Sequence, residues 1–398
     1  MNSDKIKTIK ETIEQYGLRH IYLNFVDVMG NLWTKTVGVK ELLANTHVSW
    51  TDGISINGRL IDGFNLDSSG DWLVIVPDPI KFYRLSFIDE PQQISGALLC
   101  SIKDFELDSR TILLKAVDYS KSMGFTPIAG LQLIYGIKDD LAEKAYQSLV
   151  FNTSNTFNNE VVDSLLESEI DVEYYLRYCN NSNRIDLVPD EMNLIADKYT
   201  MAKWYIQAMG IKYKADISFS NMFENKGISS CPIHMSLWDK NKGNNLFFDP
   251  NRDLELSVTG EYFVNGILTF LPSIIAIISA TSKTPIDTII GDYSYSVSTL
   301  RDRCSAINIP LYFEEKKKTD RVGWSKRCIF NMGISNSNIY LLLASLLYAG
   351  VYGIINKVEK NVITETLTPN LVHNHIANNQ FFRERMGENL IDKLMKLL

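Results

Sequence analysis

The chain has few of the residues that mark several functional classes. Its five cysteines, Cys100, Cys179, Cys231, Cys304 and Cys328, are scattered, and none forms a C-x-x-C pair. An odd, dispersed set speaks against a disulfide framework and suits a reducing compartment. Basic charge is also short: 40 Lys and Arg face 47 Asp and Glu, a net charge of −7. Non-specific nucleic-acid binding needs a basic face to displace counterions, so nucleic acid is not expected as a general partner. The one compact basic run, Lys316-Lys317-Lys318, reads as a solvated loop. Neither G-x-x-x-x-G-K nor G-x-G-x-x-G occurs, so a phosphate-loop or dinucleotide fold has no support. The opening stretch MNSDKIKTIKETIEQYG is polar and helical, unlike a signal peptide. The most apolar run, Phe263 to Ala280, is nearly long enough to span a bilayer. Asn265, Thr269, Pro272 and Ser273 interrupt it and Glu261 precedes it, so a buried helix is expected. A cytoplasmic protein with no membrane partner follows as the expectation.

What is present is ordinary globular composition, 45% apolar and 22% charged. At 398 residues, two domains are expected. Asp4 to Gln15 reads as an amphipathic helix. Ile21–Val28 and Leu32–Val39 read as a hairpin around Met29-Gly30-Asn31. Thr51–Asn57 and Trp72–Val76 are further strands, and Pro77-Asp78-Pro79 should break the chain. This β-rich block gives a small domain over 1–103, and Asp104 to Ser109 reads as a hinge. In 104–398, helices are expected at Thr111–Met123, Glu191–Met209, Ser257–Ser279, Ser337–Val351 and Phe381–Leu398. Strands are expected at Pro127–Tyr135, Asp171–Arg177 and Ile211–Phe219, and Asn152 to Asn159 reads as a surface loop.

Several segments share an order with one family. FVDVMGNLWTKTV, TDGISI, VPDP, Met192-Asn193-Leu194-Ile195-Ala196-Asp197, HMSLWDKNKGNNLFFD, LRDRCSAINIP and Asn338-Ile339-Tyr340-Leu341 leading to AGVYGI occur in that sequence. Together they resemble the glutamine synthetase family. The resemblance implies an α+β fold, with an N-terminal β-grasp domain and a C-terminal antiparallel sheet flanked by helices. It also implies a ring-type homo-oligomer whose small domains close neighbouring clefts, with mixed assembly with an active relative as a further possibility. The family's reaction phosphorylates a carboxylate with ATP and displaces the phosphate with ammonia. Divalent cations, held by several glutamates and a histidine, neutralise the moving phosphoryl group.

Position by position, those ligands are missing. The strand that should carry E-x-E reads Ala129-Gly130-Leu131-Gln132-Leu133-Ile134, with Gln132 its nearest isostere. The second glutamate of the E-v-a-p-G-Q-x-E-I-D-L segment falls on Arg184, and the first on Arg177 or Leu176. The first histidine of H-x-H is Pro232, which offers no donor atom. The glutamate of R-x-E-x-R is Ile329 and its second arginine Asn331. The substrate arginine falls near Asp287, and the loop glutamate on Tyr293. No metal site is therefore expected. Four positions match: Asp52 for the acid that helps bind ammonium, Arg303 and Arg327 for arginines near phosphate, and His234 for the second histidine. Each has a plainer reading: a turn acid for Asp52, ion-pair arginines, and a satisfied strand histidine. His373 and His375 read as surface residues.

Three functions stay open. One is a non-catalytic paralogue. Another is a cleft in which Arg177, Arg184, Arg303 and Arg327 take the place of metal ions and bind a small anionic ligand or amino acid. The third is an ATP-dependent amide or γ-glutamyl ligase, in which a register shift brings Glu173 into the cleft. No cofactor is expected under the first two; ATP and Mg²⁺ belong only to the third.

Overall fold

The structure is a computed structural model. It describes residues 2–44, 50–64, 72–85, 95–138, 153–177, 182–219, 231–291, 294–298, 305–310, 325–359 and 367–398. The fold is α+β, and the described residues cluster into two compact units. One comprises Met1–Thr111, Ile137–Val172 and Thr200–Ile217; the other comprises Ile112–Gly136, Glu173–Tyr199 and Ser218–Leu398.

In the first unit, β1 (His20–Val26), β2 (Leu32–Gly38), β3 (Ile54–Asn57), β4 (Trp72–Arg84) and β5 (Ser95–Ile102) form a sheet in the order β2-β1-β5-β4-β3. β1 is antiparallel to β2 and parallel to β5. Ile21, Leu23 and Phe25 alternate along β1 into the core, as the period of two requires. The expected hairpin forms, and a buried acid explains its turn. Asp27 Oδ1 accepts the Met29 and Asn31 amides at 2.9 Å each, while Oδ2 accepts Asn31 Nδ2 at 3.0 Å and Trp33 Nε1 at 2.9 Å. Its carboxyl also abuts Gly63, where a Cβ would approach Oδ2 to 2.2 Å. Asp27→Ala removes the buried acceptor of four part-buried hydrogen bonds, so a loss of about 3 kcal/mol is expected in urea unfolding. An unchanged midpoint would refute this role.

Several expectations are corrected here. β4 does not stop at Pro77-Asp78-Pro79 but runs on to Arg84 through a register shift between Pro77 and Phe82. Prolines donate no ladder hydrogen bond, so the strand bulges rather than ends. Asp78 instead accepts from buried Arg110 Nη2 at 2.8 Å. Of the expected surface loop Asn152 to Asn159, the described residues from Thr153 on are helical instead, because the helix Thr153–Glu167 begins there. Phe157, Val161 and Leu165 recur every four residues and are buried, a stripe masked by intervening Asn, Ser and Thr. The helix Met192–Tyr213 extends through Ile211, leaving only Asp216–Ser218 of the expected strand.

The remaining strands, which fall mainly in the second unit, are β6 (Thr126–Lys138), β7 (Val172–Arg177), β8 (Ser182–Leu187), β9 (Asp190–Glu191), β10 (Asp216–Ser218), β11 (Ile233–Trp238), β12 (Ser294–Ser298), β13 (Ser305–Asn308) and β14 (Cys328–Phe330). Among the described residues they order as β12-β13-β14-β11-β6-β8-β7, with β9 and β10 pairing to β6. The helix Val258–Ser282 is long and apolar enough to cross a membrane, but 94% of its apolar window is buried inside the protein. It packs on the helix Ile339–Ile355 at very close range. A Cβ on Gly266 would sit 2.2 Å from the Ala349 carbonyl, and one on Gly353 2.1 Å from that of Tyr262. The expected terminal helix is two helices, Gln380–Met386 and Glu388–Leu397, divided at Gly387 with φ 110°. His375 is not a plain surface residue: its Nδ1 lies 2.7 Å from Ser273 Oγ. Cys100, Cys231 and Cys328 are buried free thiols. Cys179, Cys304 and the Lys316–Lys318 run lie outside the described residues.

Candidate functional site

The candidate site is built on one face of the larger sheet. Ile128, Gly130 and Gln132 of β6 share that face, since alternate residues of a strand point the same way. On one side β11 sets Ser236 opposite Ile128 and His234 opposite Gly130. On the other, β8 sets Asp186 opposite Gln132 and Arg184 opposite Ile134. β14 places Ile329 opposite His234, just after Arg327. Ile128, Gly130, Gln132, Asp186, His234, Ser236 and Arg327, with Glu173 and Tyr174 of β7, Pro189, Trp238 and Lys326, line a cavity of about 360 Å³; Arg184 stands behind Asp186.

At its polar end the side chains form a chain. Arg184 grips Asp186 with two N–H groups, Nε to Oδ1 at 2.6 Å and Nη2 to Oδ2 at 2.5 Å. Gln132 Nε2 donates to Asp186 Oδ2 at 3.2 Å and lies 3.3 Å from His234 Nε2. Arg327 Nε donates to His234 Nδ1 at 2.8 Å, and its Nη1 donates to the Ser325 carbonyl at 3.0 Å. Because Nδ1 accepts, the ring proton sits on Nε2 and points at the Gln132 amide nitrogen. The amide can give its NH₂ to Asp186 or its oxygen to His234, not both. The charge-assisted bond to the carboxylate is the stronger, so His234 Nε2–H is left facing a donor.

Burial, followed by the charges of Arg327 and Arg184, holds the His234 pKa down at about 3. The unfolded chain takes up this proton near the ordinary histidine value of 6.5, so the folded form binds fewer protons below that pH. Stability from this group is therefore present above 6.5 and lost as pH falls toward 3. His234→Gln is expected to flatten the pH dependence of unfolding free energy between pH 7 and about 5, by up to about 1.4 kcal/mol per pH unit. Identical slopes for the two proteins would contradict it. Lys326 Nζ donates to the carbonyls of Leu254 and Pro310. Its burial, opposed by Glu255 and reinforced by Arg327, lowers its pKa to about 8.

Arg184, His234 and Arg327 thus come together, and Glu173 lines the same cavity. Asp52 belongs to the first unit, in the exposed turn before β3, where Thr51 Oγ1 donates to it at 3.3 Å. Arg177 ends β7, with its side chain outside the described residues; Arg303 and Tyr293 are also outside them. Lys326, Tyr174 and Trp238 were not anticipated. The available signal was spacing: Arg184 and Asp186 stand two apart on one strand, as do Ser236 and Trp238.

The family model for the glutamine synthetase catalytic domain matches residues 106–379. The chain belongs to the glutamine synthetase family. It is 28% identical over 380 residues to the glutamine synthetase of Thermotoga maritima, covering 89% of this chain and 81% of that protein. It is 24% identical to that of Mycolicibacterium smegmatis, over 95% and 85% of the two chains. With that of Archaeoglobus fulgidus it is 21% identical, over 99% and 93%.

The groups in the cavity do not fit the hard cations that glutamine synthetase chemistry uses. Such ions take oxygen ligands, chiefly carboxylates. Both Asp186 oxygens are taken by a guanidinium, His234 Nδ1 by another, and Gln132 presents an amide. Among the described residues, no group of three or more His, Cys, Asp or Glu is placed to hold a metal ion.

Proposed function

We propose that this glutamine synthetase family member does not make glutamine and instead binds a small anionic ligand or amino acid without metal. The observation that carries the reading is the Arg184–Asp186–Gln132–His234–Arg327 chain, in which Arg184 stands at a position that the resemblance assigns to a glutamate ligand. A fixed arginine supplies positive charge and paired N–H donors to an anion, but it carries one positive charge where a divalent ion carries two. Asp52, Arg177 and Arg303 are proposed as outlying contributors. The deciding assay is phosphate release with ATP, Mg²⁺, glutamate and ammonium, expected at background.

A second reading is an ATP-dependent carboxylate–amine ligase of altered specificity, using ATP and Mg²⁺. Glu173, an exposed acid among the residues that line the cavity, favours it. In either case we take the five-stranded sheet of the first unit as a β-grasp domain, with the domain division near residue 103. A cytoplasmic ring-type homo-oligomer, alone or mixed with an active relative, is the assembly proposed; size measurement with and without that relative tests it.

A further inference from the structure

We infer that the cavity selects a singly charged organic anion, a monocarboxylate on an apolar or aromatic body, and turns away polyphosphates. This rests on the metal-free, anion-binding reading above and narrows it.

The floor of the cavity is graded. Gln132 and His234 lie at one end, beside Asp186; Ile128 and Trp238 lie at the other, with Pro189 nearby. Between them Gly130 contributes no side chain. A Cβ there would come within 3.2 Å of Pro189 Cγ and 3.7 Å of His234 Cβ, so the glycine lets Pro189 and His234 pack close over the floor, and a larger side chain would have to push into the cavity. An apolar wall with a few convergent polar groups is the usual composition of a small-molecule site.

The polar end calls for an acceptor. The His234 Nε2–H faces the Gln132 amide nitrogen at 3.3 Å, a donor-to-donor contact that an incoming carboxylate oxygen relieves, with the guanidinium of Arg327 alongside. The same end limits how much negative charge it accepts. Arg184 is engaged by Asp186, and Lys326 by two carbonyls with Glu255 close by. Glu173 and Asp186 both line the cavity and repel each added negative charge. One carboxylate is matched there; a triphosphate without cations is not.

The test is calorimetric titration of the full-length protein in EDTA with a matched series. The probes are 3-phenylpropionate, 3-phenylpropionamide, acetate, phenyl phosphate and ATP. Expected is 3-phenylpropionate binding about tenfold or more tightly than each of the others. Gly130→Val should abolish that preference over acetate by filling the floor. Glu173→Gln should narrow the gap to phenyl phosphate. Tighter binding of phenyl phosphate or ATP than of 3-phenylpropionate overturns the single-charge inference but leaves metal-free anion binding standing. Equal binding of the amide overturns the carboxylate. No binding by any anion, or turnover of ATP with Mg²⁺, overturns this inference and the proposed function together.

Discussion

Supplied with ATP, Mg²⁺, glutamate and ammonium, the purified protein is expected to release phosphate no faster than a heat-denatured control. Phosphoryl transfer of this kind depends on positioning and on neutralising charge over the moving group. Perturbing even the groups that support a metal ligand typically costs 10- to 100-fold in affinity or activity, and the positions that the resemblance assigns to ligands hold Gln132, Arg184, Pro232 and Ile329. A loss of several orders of magnitude leaves nothing measurable above the uncatalysed rate. Turnover that Glu173→Gln abolishes would establish the ligase reading instead. Restoring glutamates at positions 132 and 329 alone is not expected to recover activity, because Asp186 remains held by Arg184.

Arg184→Ala should cost about 3–5 kcal/mol in urea unfolding and eliminate anion binding. The pair it breaks is well shielded, with side-chain exposures of 16% for Arg184 and 7% for Asp186. Removing one partner of a buried pair leaves the other charge uncompensated, which costs far more than the pair itself contributes. The companion variant Arg184→Ala/Asp186→Asn removes both charges and should recover more than half of the lost stability. If single and double variants are equally destabilised, the guanidinium matters through packing and not as a counter-ion. Anion binding should stay lost in the double variant only if Arg184 also contributes directly to the ligand.

Much of this was legible in the chain, for identifiable reasons. The hairpin at Met29-Gly30-Asn31 and the buried helix over Phe263–Ala280 follow from turn chemistry and apolar run length, which act locally. The helix at Thr153–Glu167 was hidden because its buried stripe, Phe157, Val161 and Leu165, is thin among Asn and Ser. The bulge through Pro77-Asp78-Pro79 was hidden because its partner, Arg110, lies 32 residues away. At the site, ordered motifs located Arg184, His234 and Arg327, since each motif fixes its own register. Which of these touch depends on strand order, β8 beside β6 beside β11 beside β14, and this is set by the whole fold. Asp186 illustrates the gap: it served to align the segment, yet only pairing across β6 and β8 shows it facing Gln132.

The Arg184–Asp186 pair has a consequence for regulation. A dissociable magnesium ion makes a site responsive to the free ion concentration around it, and a chelator can empty it. A guanidinium two residues along the same strand is present at an effective concentration fixed by the backbone. Every folded copy therefore carries its counter-ion from the moment the sheet closes. Under the proposed metal-free reading, the pocket's readiness is set by synthesis and degradation of the chain, and changes in cellular magnesium leave it untouched.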